Sequence, residues 1–213
     1  MSDHASPIAG CQSAAYSLDP PAFRRTDDND WVIDRRPGEG RYAQLEREQR
    51  WILDAVPAEV EFVAEIVDRY ILGTRLRVRR MATETGVVFK LAQKVRPIEQ
   101  DPAIVKLTNM YLSADEFDAV ATLPAAELHK SRWRLPWSGR SLAVDQFRGR
   151  WTGLILGEVE LDAGDELLPN PPAALRDVTS DDRFSGGSLA RTSDHELAVL
   201  FDELQLSFGH QVG

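Results

Sequence analysis

From Ala43 to Leu161 the chain is a succession of short runs in which apolar and polar side chains alternate. That two-residue period marks strands that bury one face. The runs are Ala43–Leu53, Glu61–Leu72, Arg75–Met81, Val87–Val95, Ile104–Leu112, His129–Trp137, Leu142–Phe147 and Thr152–Leu161. Gly73-Thr74, Thr83-Glu84-Thr85-Gly86 and Ser138-Gly139-Arg140 punctuate them as turns. Two stretches change period. Ser113-Ala114-Asp115-Glu116 is a capping box that opens a short helix to about Leu123, with Pro124 just beyond. Ser193-Asp194-His195-Glu196 opens a second helix to about Leu206, with Leu197, Leu200, Phe201 and Leu204 at helical spacing. Eight strands on short connections, with few helices, predict a mainly β (α+β) chain. Its antiparallel sheet is expected to close as an eight-stranded β-barrel with flanking helices. Residues 1–40 are rich in Pro, Asp, Ser and Gly, show no period and read as a loosely docked extension. The barrel domain with its C-terminal helix is assigned to residues 41–207.

The strand faces change this picture. Arg75, Arg77 and Arg79 alternate with Leu76 and Val78; Lys90 and Lys94 share a face; Lys106 faces with Thr108; Lys130, Arg132 and Arg134 alternate with Trp133 and Leu135. An ordinary solvated face explains any one of these strands. It explains the set less well, because like charges opposite one another on paired strands destabilise the pairing. Two other strands carry acidic pairs, Glu46 and Glu48 (with Arg50 in the same row) and Glu158 and Glu160. A barrel with a polar inside accommodates both, the cations being compensated by a small polyanion and the paired carboxylates by a divalent metal.

Composition narrows the partners. The 213 residues carry a net charge of −9, which argues against nucleic acid. Only four basic residues are lysines (Lys90, Lys94, Lys106, Lys130), and the other 21 are arginines, whose planar fork suits phosphate oxygens. Cys11 is the single cysteine, so no internal disulfide forms, and a cytoplasmic, reducing compartment is expected. Ile8-Ala9-Gly10-Cys11 superficially matches a lipoprotein box, but no basic and apolar run precedes it. No segment has the apolar length of a membrane span. The four histidines show no zinc spacing, and no glycine-rich phosphate loop occurs. Ser185-Gly186-Gly187-Ser188 reads as a simple turn. A homodimer is left open.

Taken in order, these segments resemble the CYTH superfamily, the triphosphate tunnel metalloenzymes. Glu46-x-Glu48-x-Arg50 resembles the family's Glu-x-Glu-x-Lys signature, with Arg for Lys. Arg75-Leu76-Arg77-Val78-Arg79, Phe89-Lys90, Lys130-Ser131-Arg132-Trp133, Val144-Asp145-Gln146-Phe147 and Gly157-Glu158-Val159-Glu160-Leu161 resemble its later strands, and Val178-Thr179 with Arg183-Phe184-Ser185 its closing segment. The resemblance implies a lumen that binds a triphosphate with Mg²⁺ or Mn²⁺ and hydrolyses a phosphoanhydride, inorganic tripolyphosphate being the first expectation. An adenylate cyclase and a non-catalytic polyphosphate or nucleoside triphosphate binding module are the alternatives. Glu46, Glu48, Glu158 and Glu160 are the expected metal ligands. Glu158, Glu160 and Arg50 are the expected catalytic groups. Arg50, Arg75, Arg77, Arg79, Lys90, Lys106, Lys130, Arg132, Arg134 and Arg183 are the expected phosphate contacts. One departure stands out: Lys106-Leu107-Thr108-Asn109 lies where many relatives carry Arg-x-Glu, so a carboxylate is missing there.

Overall fold

Every run of alternating residues forms a strand in the computed structural model, which describes Pro37 and residues 42–96, 103–162 and 164–204. The strands are β1 (Gln44–Leu53), β2 (Glu61–Ile71), β3 (Leu76–Thr83), β4 (Gly86–Val95), β5 (Ile104–Leu112), β6 (Ala125–Trp137), β7 (Arg140–Phe147) and β8 (Ile155–Leu161). Helix α1 (Ala114–Ala121) separates β5 from β6. The extension assigned to residues 1–40 lies outside the described residues, apart from Pro37. Neighbouring strands run antiparallel in the order β5-β4-β3-β2-β6-β7-β8-β1, and β1 pairs back onto β5, so the sheet closes as an eight-stranded barrel. Closure leaves none of these eight strands with a free edge along its full length. This is the architecture that the CYTH resemblance implied.

Turn chemistry fixes the registers. Ser138 and Gly139 both adopt positive φ (49° and 73°), the two-residue hairpin geometry whose twist matches its strands, and Trp137 pairs with Arg140. Both capping boxes are present. The Ser113 hydroxyl accepts from the Glu116 amide while Glu116 accepts from the Ser113 amide. Ser193 and Glu196 make the same exchange at the start of α3 (Asp194–Leu204).

Two elements depart from expectation. A ninth strand, β9 (Ala174–Asp177), pairs with the end of β1 outside the barrel. The segment Ser185–Ser188 is not a simple turn: Ser185 caps a helix, α2 (Gly186–Arg191), accepting a hydrogen bond from the Ser188 amide.

Two apolar clusters flank the wall. One plugs the bore. Ile52, Leu128, Phe147 and Leu156, all at inward positions, meet Phe184, Leu189 and the α3 residues Leu197, Leu200 and Phe201. The other lies outside, where Trp51, Leu135, Leu142, Val144 and Val159 are covered by Leu168 of the segment before β9 and by Ala174 at its start. That cover is pinned by polar bonds. The Trp51 indole donates to Asn170, and Gln49 exchanges bonds with the backbone of Leu168.

Candidate functional site

The lumen takes its character from which member of each alternating pair points in. On β1 these are Glu46, Glu48 and Arg50; on β3, Arg77 and Arg79; on β4, Lys90 and Lys94; on β6, Lys130 and Arg132; on β8, Glu158 and Glu160. They line a cavity of about 930 Å³. Among the described residues ten basic and five acidic side chains face it, so an acidic protein encloses a basic bore.

Two carboxylates that sequence reasoning did not assign to the site organise these cations. Asp68 of β2 is wholly buried and takes a bidentate pair from Arg79, Nε at 2.6 Å and Nη2 at 2.8 Å, with Arg77 Nε at 3.5 Å. Asp145 of β7 is equally buried. It takes Nε and Nη2 of Arg132, each at 2.6 Å, and the Lys130 ammonium. Burial would raise both carboxyls, but the adjoining cations outweigh it and hold both well below the usual carboxylate range. Burial pushes Lys130 down, against the pull of Asp145. A signal for Asp68 was present in the sequence: it shares a strand face with Ala64, Ile66 and Tyr70, an acid in an otherwise largely apolar row.

The carboxylates of the two Glu-x-Glu pairs divide into two kinds. Glu48 Oε2 accepts from Arg50 Nη2 at 2.7 Å, and Lys94 lies 3.6 Å from Oε1. Burial would raise Glu48, yet Lys94 and Arg50 bring it down to about 2. Glu158 lies 3.0 Å from Arg50 Nε and 3.4 Å from Arg132 Nη2. Glu46 and Glu160 have no ion pair among the described residues. Glu160 lies opposite Glu48 in the β1–β8 register, and Glu46 follows on the same face. Burial, together with repulsion from Glu48 and Glu160, raises Glu46 despite the attraction of Lys94. A carboxylate so repelled suits a shared divalent cation. No three carboxylates converge on one point among the described residues. Mg²⁺ commonly takes only one or two carboxylates and completes its shell with water and phosphate oxygens, so this donor set fits it.

The bore also holds buried donors that make no hydrogen bond among the described residues. Arg50 Nη1 has no carboxylate in range, while Arg50 Nε (3.0 Å from Glu158) and Arg77 Nε (3.5 Å from Asp68) lie within ion-pair range without the geometry of a hydrogen bond. Neither Arg75 nor Lys90 has a carboxylate in ion-pair range among the described residues; Lys90 instead sits 5.1 Å from the Tyr111 ring.

Three expected phosphate contacts are corrected. On β5 it is Val105, Leu107 and Asn109 that face the bore, so Lys106 points away from it. Arg134 is half-exposed at the rim and pairs with Glu61 at 2.6 Å. Arg183 is half-exposed and pairs with Asp181 and Glu203 outside the lumen, while its neighbour Phe184 turns inward. Lys130 does line the bore but is committed to Asp145. Three cations that sequence reasoning did not place in the site also line it, Lys94, Arg96 and Arg191.

No protein-family profile and no curated protein matches the chain. Solved structures that it resembles include an inorganic triphosphatase (22% identity, covering 70% of this chain and 95% of that one, TM-score 0.47). A protein from Pyrococcus horikoshii also aligns (14% identity, 76% and 91% covered, TM-score 0.42). So does a provisional adenylate cyclase from Bacillus halodurans (15% identity, 57% and 83% covered, TM-score 0.39). These likenesses are too distant to assign a role to any residue here.

Proposed function

We propose that the barrel is a divalent-metal-dependent hydrolase of a triphosphate, with inorganic tripolyphosphate as the first substrate to test. The observation that carries this reading is the basic bore with buried guanidinium donors, Arg50 Nη1 foremost, that make no hydrogen bond among the described residues. A buried N–H without a partner costs about 1–3 kcal/mol, and phosphate oxygens would relieve it.

Phosphoryl transfer asks a protein mainly for positioning and charge neutralisation. Arg79 and Arg132 each spend two donors on a buried aspartate, so their guanidinium planes are fixed before substrate arrives. Arg75, Arg77, Lys90 and Arg50 would then bind the phosphates. Glu46, Glu48, Glu158 and Glu160 would hold Mg²⁺ or Mn²⁺, which would neutralise charge on phosphate oxygens. Glu160, which has no Lys or Arg partner among the described residues, would also orient the attacking water by accepting a hydrogen bond from it.

Phosphate release from tripolyphosphate is expected with Mg²⁺ or Mn²⁺ and is expected to stop when EDTA removes the metal. No release with either ion would overturn the reading. One observation favours a second reading, a binding module: the inward positions of β5 carry no carboxylate, and Glu48 and Glu158 are ion-paired. Calorimetric binding of tripolyphosphate without turnover would support that alternative.

A further inference from the structure

One residue joins two of the acidic side chains in the bore. All four carboxylate oxygens of Glu48 and Glu158 face cations: Glu48 Oε2 meets Arg50 (2.7 Å) and Oε1 meets Lys94 (3.6 Å), while Glu158 Oε1 meets Arg50 (3.0 Å) and Oε2 meets Arg132 (3.4 Å). Arg50 alone touches both carboxylates. It does so incompletely, since Nε and Nη1 remain buried donors without a hydrogen bond. Its guanidinium is better matched to a tetrahedral oxyanion, which can take several of its N–H groups together.

We infer that Arg50 is a positioning residue that withholds Glu48 and Glu158 from a divalent cation until an oxyanion occupies the lumen. The inference rests on the triphosphate reading above and deepens it. When an oxyanion enters, the guanidinium turns its unsatisfied donors to it, and Glu48 and Glu158 lose their shared counter-ion. Those carboxylates then become available to metal. Metal and oxyanion therefore bind with positive coupling, and the coupling is reciprocal.

Mn²⁺ binding, read from the electron paramagnetic resonance signal of the free ion, tests this without turnover. Sulfate serves as the oxyanion because it chelates Mn²⁺ weakly. Wild-type protein is expected to bind Mn²⁺ weakly alone and about tenfold more tightly with saturating sulfate, within the usual range of coupling. Arg50→Met removes the shared counter-ion. It is expected to bind Mn²⁺ alone about tenfold more tightly than wild type, with no further gain from sulfate. Arg50→Lys, whose single ammonium suits only one of the two carboxylates, should fall between, and it carries the test if the Met variant does not fold. Folded variants that bind Mn²⁺ no more tightly than wild type, or a wild type indifferent to sulfate, would overturn the inference. Tripolyphosphate turnover measured alongside separates the two claims. Coupling without turnover sinks the hydrolase and leaves the gate, and turnover without coupling sinks the gate alone.

Discussion

Asp145 shows how much a single residue decides here. It is buried between Lys130 and Arg132, so Asp145→Asn takes the ion-pair partner from Lys130 and leaves Arg132 only Glu158 at 3.4 Å. Breaking a buried pair in this way costs about 3–5 kcal/mol, and a denaturant midpoint is expected to fall accordingly. Side-chain direction decides the next contrast. Arg77 faces the bore with only a long 3.5 Å contact from Nε to Asp68, and Arg77→Ala is expected to lower kcat/KM for tripolyphosphate by about two to three orders of magnitude. Lys106→Ala, on the outward face of β5, is expected to leave kcat/KM unchanged. Equal losses from the two substitutions would show that the face assignment is wrong. From sequence alone, alternation put Glu46, Glu48 and Arg50 on one strand face and Glu158 and Glu160 on another, and the β1–β8 pairing sets the two side by side. It failed at Lys106, where a barrel with a mostly polar inside still turns the apolar members of one strand, Val105 and Leu107, toward the bore.

At the scale of elements, α2 forms part of the floor of the lumen. A Cβ at Gly186 would overlap the hydroxyl of Tyr70, a largely buried ring on β2. Overpacking of this kind costs about 1–3 kcal/mol, so Gly186→Ala is expected to lower thermal stability. Adding Tyr70→Phe removes the overlapping oxygen and is expected to recover part of that loss. A double-mutant cycle with no coupling energy would contradict the packing described. The two capping boxes were legible because four residues close them locally. The helix α2 was not, since a six-residue segment containing Gly-Gly has little intrinsic helix preference. What holds it is contact with Tyr70 and Leu128 and the bond from the Trp151 indole to the Leu189 carbonyl.

For the whole molecule, Asp68 and Asp145 link stability to pH. Both are held below the ordinary carboxylate range in the folded barrel and return to about 3.9 when unfolded. A depressed folded value contributes stability above the unfolded value and loses it as pH falls through that value toward the folded one. Urea titrations from neutral pH downward are therefore expected to show stability declining as pH drops through about 4 and below. Asp145→Asn should show a shallower decline, because one of the linked carboxyls is gone. An unchanged slope would mean that Asp145 is not linked to folding.

The sequence by itself determined the eight barrel strands, the two capped helices, the side chains sharing each face and an inside that is basic with acidic pairs. These follow from a two-residue period and from local turn and cap chemistry, which need no knowledge of neighbouring strands. Only the tertiary structure decided which cations remain available and which are consumed. Asp68 meets Arg79 across β2 and β3, Asp145 meets Lys130 and Arg132 across β6 and β7, and Arg50 lies between Glu48 on its own strand and Glu158 on β8. Ion pairing depends on distance through space, and barrel closure sets those distances by joining β1 to both β5 and β8.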